Sequence, residues 1–316
     1  MTSVHSSPAK LRPFVRPFVY PILASLALLA CRPPSSQLPV CPAFVASGRA
    51  HEADTRMLPP DVWFQVLVPG VTRPALEVPD APRDCSGVLT EVKWSDPAAA
   101  SADPRLAAKR LPARKVSERD LTFGEGPDGQ LLVWARVEHF DDGSARGPVA
   151  LVRWVERGLE VRGVGTLWAS PRRARLRLEP LGEDQLLVAD GERCTGDDPS
   201  TCKHEIYLMP LIDQRFQQAG MTEEGVAAGP ARVTTFEHSD IPLKDGWVRR
   251  ADIQRHLRLS GPQATISEDI RIRECDPSAQ PETCQEQLVA RDERPLQWKD
   301  GKFTTTRSAW AQVATP

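Results

Sequence analysis

The sequence predicts an all-β body of antiparallel twisted sheets or a sandwich with disulfide-stapled loops, and three observations carry that expectation. From residue 120 onward apolar and polar residues alternate, which sends successive side chains to opposite faces and marks half-buried strands. Helical periodicity is weak throughout. Two close cysteine pairs, Cys194 with Cys202 and Cys275 with Cys284, bracket the turn-rich segments TGDDPST and DPSAQPET, so each reads as a stapled loop between strands.

Taken in order, residues 131–137 (LLVWARV) place Leu131, Val133, Ala135 and Val137 on one face, and 149–155 and 159–168 continue the same pattern. Ala174, Leu176 and Leu178 then alternate with Arg173, Arg175, Arg177 and Glu179, which is a strand with one wet, charged face. Those three arginines therefore read as solvated rather than as a phosphate-binding patch. Further strands are expected over 186–189, 205–211, 251–259, 264–273 and 286–290. Asp300-Gly301, between Trp298-Lys299 and Lys302-Phe303, marks a two-residue hairpin, because a type I′ turn requires the positive φ that Asp-Gly tolerates. The best helical candidates are short, at 43–57, 104–109 and 211–217. Residues 95–119, rich in alanine, proline and charge, read as a long exposed connection with one helical turn. Segments beginning at Gln130, Gln185 and Gln287 resemble one another, which makes a small β-propeller the alternative. Their spacings of 55 and 102 are too uneven for regular blades, so sheets or a sandwich come first.

The start of the chain carries an address. Lys10, Arg12 and Arg16 are its charged groups, with no acidic residue before Cys31, and the 13-residue apolar run FVYPILASLALLA follows. As a helix that run spans about 20 Å, short of the roughly 30 Å hydrocarbon layer, so it reads as a secretory signal rather than a membrane span. Leu28-Leu29-Ala30-Cys31 resembles the lipobox of bacterial lipoproteins, with an aliphatic residue at minus three and a small one at minus one. The resemblance implies cleavage before Cys31, a diacylglycerol on its thiol, and a chain held to a membrane through that lipid. Arg32 after the cysteine, in place of Asp, implies the outer membrane over the inner. The domain expectation is a signal peptide at 1–30, a lipidated N-terminus and tether at 31–60, a main β domain at 61–230, and a C-terminal β unit at 231–316, either separate from the main domain or continuous with it.

Composition bounds the remainder. The leader holds three of the 40 basic residues, so the mature chain carries 37 against 42 acidic ones, a net charge of about minus five. That balance argues against nucleic acid as a partner, since such binders need a basic footprint. With Cys31 assigned to lipid, six of the seven cysteines remain, in a compartment where disulfides persist. Proximity pairs Cys194 with Cys202 and Cys275 with Cys284, and elimination then pairs Cys41 with Cys85. The rival for the middle group is a metal site of Cys194, Cys202 and His204, but zinc ligands usually lie two to four residues apart, and no metal or cofactor is expected.

Catalytic signatures are scarce. Gly124-Glu-Gly126-Pro-Asp-Gly129 has the letters of a dinucleotide fingerprint, yet a strand rather than a helix follows it, so it reads as a turn. His238-Ser239-Asp240 has the letters of a triad, but neighbours on extended backbone point apart. His139 with Asp141 and Asp142, or His204 with Glu205, have acid/base chemistry; each reads first as a polar hairpin end. The paired acids Asp141-Asp142, Glu183-Asp184, Asp197-Asp198, Glu223-Glu224 and Glu268-Asp269 fall mostly in expected turns. The eight tryptophans suit cross-strand packing, or a carbohydrate or peptide platform should several share an exposed face. Two functions follow. The first is a lipid-anchored envelope lipoprotein with a non-catalytic binding or structural role toward an envelope protein or polymer. The alternative is an anchored extracytoplasmic hydrolase with an unrecognised acid/base site; the balance falls away from an enzyme, and no catalytic residue is named.

Overall fold

A computed structural model of the chain describes residues 38–43, 58–155, 158–194, 202–244, 246–260 and 263–310. Cys31, the apolar run before it and nearly all of the helical candidate at 43–57 lie outside these residues.

The described strands form two sheets. The first contains β1 (Cys41–Ala43), β2 (Leu121–Glu125), β3 (Leu131–Ala135), β4 (Glu138–His139), β5 (Ala145–Val155), β6 (Gly158–Ala169), β7 (Arg172–Leu181), β8 (Asp184–Cys194), β9 (Cys202–Ile212), β10 (Arg215–Phe216) and β13 (Arg232–Thr234). The second contains β11 (Gly220–Glu223), β12 (Val226–Pro230), β14 (Phe236–Pro242), β15 (Val248–Ser260), β16 (Gln263–Asp276), β17 (Thr283–Lys299) and β18 (Lys302–Thr305). The all-β expectation holds, and each strand expected from alternation is present.

The first sheet closes on itself. Its order β6-β10-β9-β8-β7-β2-β3-β5 returns to β6 because β5 pairs with β6 as well, which makes a barrel. Most neighbours are antiparallel, but two seams are parallel and thin. β10 meets β6 through Arg215 and Phe216, and β2 meets β7 at Glu125 opposite Arg177. Glycine permits both approaches: a Cβ on Gly124 would stand 2.2 Å from the Leu176 carbonyl oxygen, and one on Gly165 2.2 Å from that of Phe216.

Leu132, Trp134, Leu167, Leu187, Tyr207 and Met209 pack together inside the barrel. The outside is covered on two flanks. Helix α1 (Pro60–Leu67), started by a proline in its first turn where a missing N–H costs nothing, buries Trp63, Phe64 and Leu67 against Val133, Val152 and Val161. On the other flank Leu186, Val188, Ile206 and Leu208 meet Ile266, Leu296 and Phe303 of the second sheet. Strand β3 is therefore buried at all five positions, and LLVWA is an apolar run with two dry faces rather than one.

The second sheet is open, in the order β12-β11-β18-β17-β16-β15-β14. The Asp300-Gly301 hairpin joins β17 to β18, with φ of 51° and 78° at its two central residues. Around the boundary expected at 230/231 the chain changes sheets three times, since β11 and β12 belong to the second sheet, β13 returns to pair with β9, and β14 lies in the second sheet again. No described helix is long and apolar enough to cross a membrane.

One local expectation needs correction and another needs refinement. Residues 211–217 are not helical; they are the end of β9, a turn with positive φ at Asp213 and Gln214, and β10. The 95–119 segment is largely exposed, as expected, but part of it packs against the body. It holds α2 (Pro97–Ala100) and a 3₁₀ turn at Pro104–Ala107, with Ala99, Asp103, Arg105 and Val116 buried. Beyond the end of β10, Arg105 bridges β6 to β9: its guanidinium lies 5.0 Å from the Trp168 ring and 5.2 Å from the Tyr207 ring, and donates to the Trp168 carbonyl. Asp103 balances the charge at 2.9 Å. A charged residue here does the work that an apolar core residue does elsewhere, and composition alone hides it.

Candidate functional site

The cysteines are placed as spacing and elimination suggest. Cys41 bonds Cys85, tying β1 to the segment after α1, with a Cα separation of 5.9 Å. Cys194 and Cys202 are direct cross-strand partners on β8 and β9, and Cys275 and Cys284 on β16 and β17. Glu192, Cys194 and Cys202 place ligand-type atoms within 4.8 Å of one another, but both sulfurs are engaged in a disulfide rather than available to a metal. His204 turns instead to the Thr235 hydroxyl, 2.9 Å from Nδ1.

The acid/base groupings that sequence reading weighed and set aside do not assemble as written. His139 does not meet Asp141 or Asp142. It lies against Asp120 at 3.4 Å and Arg114 at 2.8 Å, while Asp141 accepts the Lys109 N–H and Asp142 caps Ser144. Burial raises the Asp120 pKa, but hydrogen bonds from His139 and Ser117 and the charge of Arg114 outweigh it and leave the carboxyl below its usual value. His204 and Glu205 occupy opposite faces of β9. Glu205 points inward, fully buried, where Arg193, Arg232, Ser170 and the Tyr207 hydroxyl all reach it. His238 sits between Asp240 at 2.9 Å and Asp252 at 2.6 Å, and Ser239 projects to the other side of β14. The Gly124 to Gly129 segment is a hairpin turn leading from β2 into β3.

None of the eight tryptophans is exposed, so an aromatic platform of that kind is not presented. Most fill the cores, as Trp63 and Trp134 do at 0% exposure.

A largely exposed surface lies on β14 to β17. Across it, Phe236 faces Gln254, then Asp269, then Arg291, and the next row runs His238, Asp252, Arg271, Val289. Phe236, Gln254, Asp269, Ile270, Val289 and Arg291 are among the residues around a shallow hollow of about 530 Å³. Ion pairs set its charges: Arg291 to Asp269 at 2.7 Å and Arg273 to Asp252 at 2.7 Å. Burial raises the Asp252 pKa, yet the bonds from His238 and Arg273 prevail and hold it ionised below the usual carboxylate range.

The edge of this surface is equally open. β18 pairs with β17 only at Gln297, Trp298 and Lys299, so among the described residues nothing pairs with the outer side of 283–293. Leu288 is 43% exposed and Val289 61%. A free strand edge carrying exposed aliphatic residues is a template for another extended chain.

Sequence reading missed the buried charge at the base of this sheet. Glu268, fully buried, accepts from Arg255, Arg294 and Ser308, while Glu223 and Glu237 hold the outer ends of the same arginines. Glu268 lies mid-strand, within the strand expected over 264–273. The available signal was its position on the apolar face, in step with Ile266 and Ile270.

The chain matches no protein-family model, no curated protein and no solved structure.

Proposed function

We propose that the chain is a lipid-anchored extracytoplasmic lipoprotein of a bacterial envelope, and that its body is a non-catalytic binding module. The observation that carries the anchoring is the arithmetic of sulfur: six of the seven cysteines are used in three bonds of the body, and the seventh is Cys31 of the lipobox-like Leu28-Leu29-Ala30-Cys31. Three disulfides also favour an oxidising compartment. Binding is favoured by the free edge of β17 and the hollow beside it, and the occupant that suits a free strand edge is an extended segment of another envelope protein.

The test is mass spectrometry of the mature chain from membranes of cells expressing the full sequence, beside the Cys31→Ala variant. The expected result is an N-terminal Cys31 carrying a diacylglycerol, and release of the variant from the membrane fraction. An unmodified Cys31, or a mature terminus elsewhere, overturns the reading.

A further inference from the structure

The three disulfides sit in different surroundings. Cys41, 6% exposed, and its partner Cys85 are packed into the apolar cluster beneath α1. Cys275 is 0% exposed but its partner Cys284 is exposed, so what sets the Cys194–Cys202 pair apart from this one is charge rather than access. Cys194 and Cys202 are both half-buried at the end of β8 and the start of β9, and a cation reaches them: Arg172 Nη1 lies 3.0 Å from Cys194 Sγ and 3.4 Å from Cys202 Sγ.

That contact bears on chemistry rather than packing. Thiol–disulfide exchange is faster when the departing sulfur is a better leaving group, and a neighbouring guanidinium lowers thiol pKa by stabilising the thiolate. An apolar setting, such as that of Cys41, does the reverse. Among the described residues one acid stands close: the Glu192 carboxylate lies within 4.8 Å of both sulfurs, and it is engaged by Arg173 at 2.9 Å and by Arg172 Nε at 3.7 Å, so its charge is shared between two arginines. His204, two residues from Cys202 on the same strand face, is turned to Thr235 and stands 3.7 Å from Asp190. Arg172 is itself 46% exposed, which leaves a way in for a second protein's thiol.

We infer that Cys194–Cys202 is a thiol–disulfide exchange site, with Arg172 stabilising the leaving thiolate, and that its co-substrate is a protein or small-molecule dithiol. The incoming thiolate attacks Cys202 Sγ, forming a mixed disulfide as the Cys194–Cys202 bond breaks. The electron pair of that bond goes to Cys194 Sγ, the sulfur nearer Arg172, which then takes a proton from water. The second thiol of the co-substrate, deprotonated, attacks its own sulfur in the mixed disulfide and releases Cys202 as thiolate. The dithiol is oxidised to a disulfide, and Cys194 and Cys202 are reduced by two electrons. Nothing in this sequence requires the anchor, so the inference stands apart from the compartment proposed above.

The test treats the purified, oxidised full chain with dithiothreitol as the dithiol, traps free thiols with iodoacetamide over time and maps them by peptide mass. Cys194 and Cys202 are expected to be labelled first, on the order of tenfold ahead of the other two pairs, and Arg172→Ala to slow that labelling severalfold while Arg172→Lys restores part of it. On the reduced protein, the pH profile of Cys194 alkylation should move upward in Arg172→Ala, a change that loss of packing alone would not produce. A circular dichroism melt checks that each variant is folded. Opening of Cys275–Cys284 or Cys41–Cys85 first, or a rate and pH profile unchanged in folded Arg172→Ala, overturns the inference.

Discussion

The barrel and the open sheet are built from the same kind of strand and end with opposite surfaces. In the barrel, β3 and most of β5 are buried on both faces, the inner against Trp134 and Tyr207 and the outer against α1 or the second sheet. In the open sheet the first eleven residues of β17 are nearly all exposed. The difference shows that closure, with cover on the outside, is what removes edges and dries strands, while a sheet left open keeps one edge and one face for other molecules. Stability should therefore concentrate in the first region and interaction in the second.

Breaking the barrel tests the first half of that statement. Trp134, 0% exposed inside the barrel, should cost about 3–5 kcal/mol when changed to Ala, read as a lowered denaturation midpoint. Phe236→Ala, on the exposed face of the second sheet, should shift the same midpoint by no more than about 0.5 kcal/mol. A similar loss at both positions would erase the comparison.

A sharper probe is Glu268→Gln. It leaves Arg255 and Arg294, 8% and 4% exposed, without their shared carboxylate, and removing one partner of a buried ion pair costs about 3–5 kcal/mol. The open sheet thus has its own rigid base even though its far edge is bare. If Glu268→Gln melts with the parent, the buried network is dispensable and the sheet is held by apolar contact alone.

The barrel's equivalent, Glu205, adds a pH dependence. Burial pushes its carboxyl upward, but Arg232, Arg193 and the Tyr207 hydroxyl prevail and hold the folded value below the usual one. A carboxyl depressed in the folded state stabilises the fold fully above its unfolded pKa, and that contribution is lost as pH falls through the folded value. Stability should decline on the acid side of the ordinary carboxylate range, and Glu205→Gln should flatten that decline while lowering stability at neutral pH. An acid limb as steep in the variant as in the parent would assign the effect to other groups.

Much of this fold was legible because alternation is a local signal. Arg173 to Glu179 shows it, as does Asp300-Gly301, where the turn needs a backbone that few residue pairs supply. Closure was not legible, because it depends on long-range meetings at Gly124 and Gly165, and a glycine's neighbour is invisible in sequence. The buried roles of Arg105, Glu205 and Glu268 were hidden for a related reason: a charge reads as solvent-facing until its partner, such as Arg294 for Glu268, is placed beside it. The cysteine pairs were accessible, since two of them are separated by only 8 and 9 residues. The histidine groupings set aside on sequence stay apart because sequence neighbours such as His204 and Glu205 are sent to opposite faces of a strand.

The smallest expected change in stability belongs to the residue expected to matter most for binding. Val289 is 61% exposed on the unpaired edge, so Val289→Lys removes little buried area and should leave the melting midpoint within about 0.5 kcal/mol of the parent. Lysine on an edge strand disfavours addition of another strand, because the pairing chain would have to desolvate its charge. A photo-crosslinking amino acid at Leu288, the exposed neighbour of Val289, should therefore trap a partner in intact cells from the parent protein and lose that product in the Val289→Lys background. Capture undiminished by the lysine would mean that the edge is not the docking surface. A stability loss well beyond about 0.5 kcal/mol would mean that Val289 is already covered, and the contrast between a dry barrel and an open sheet would have to be redrawn at that strand.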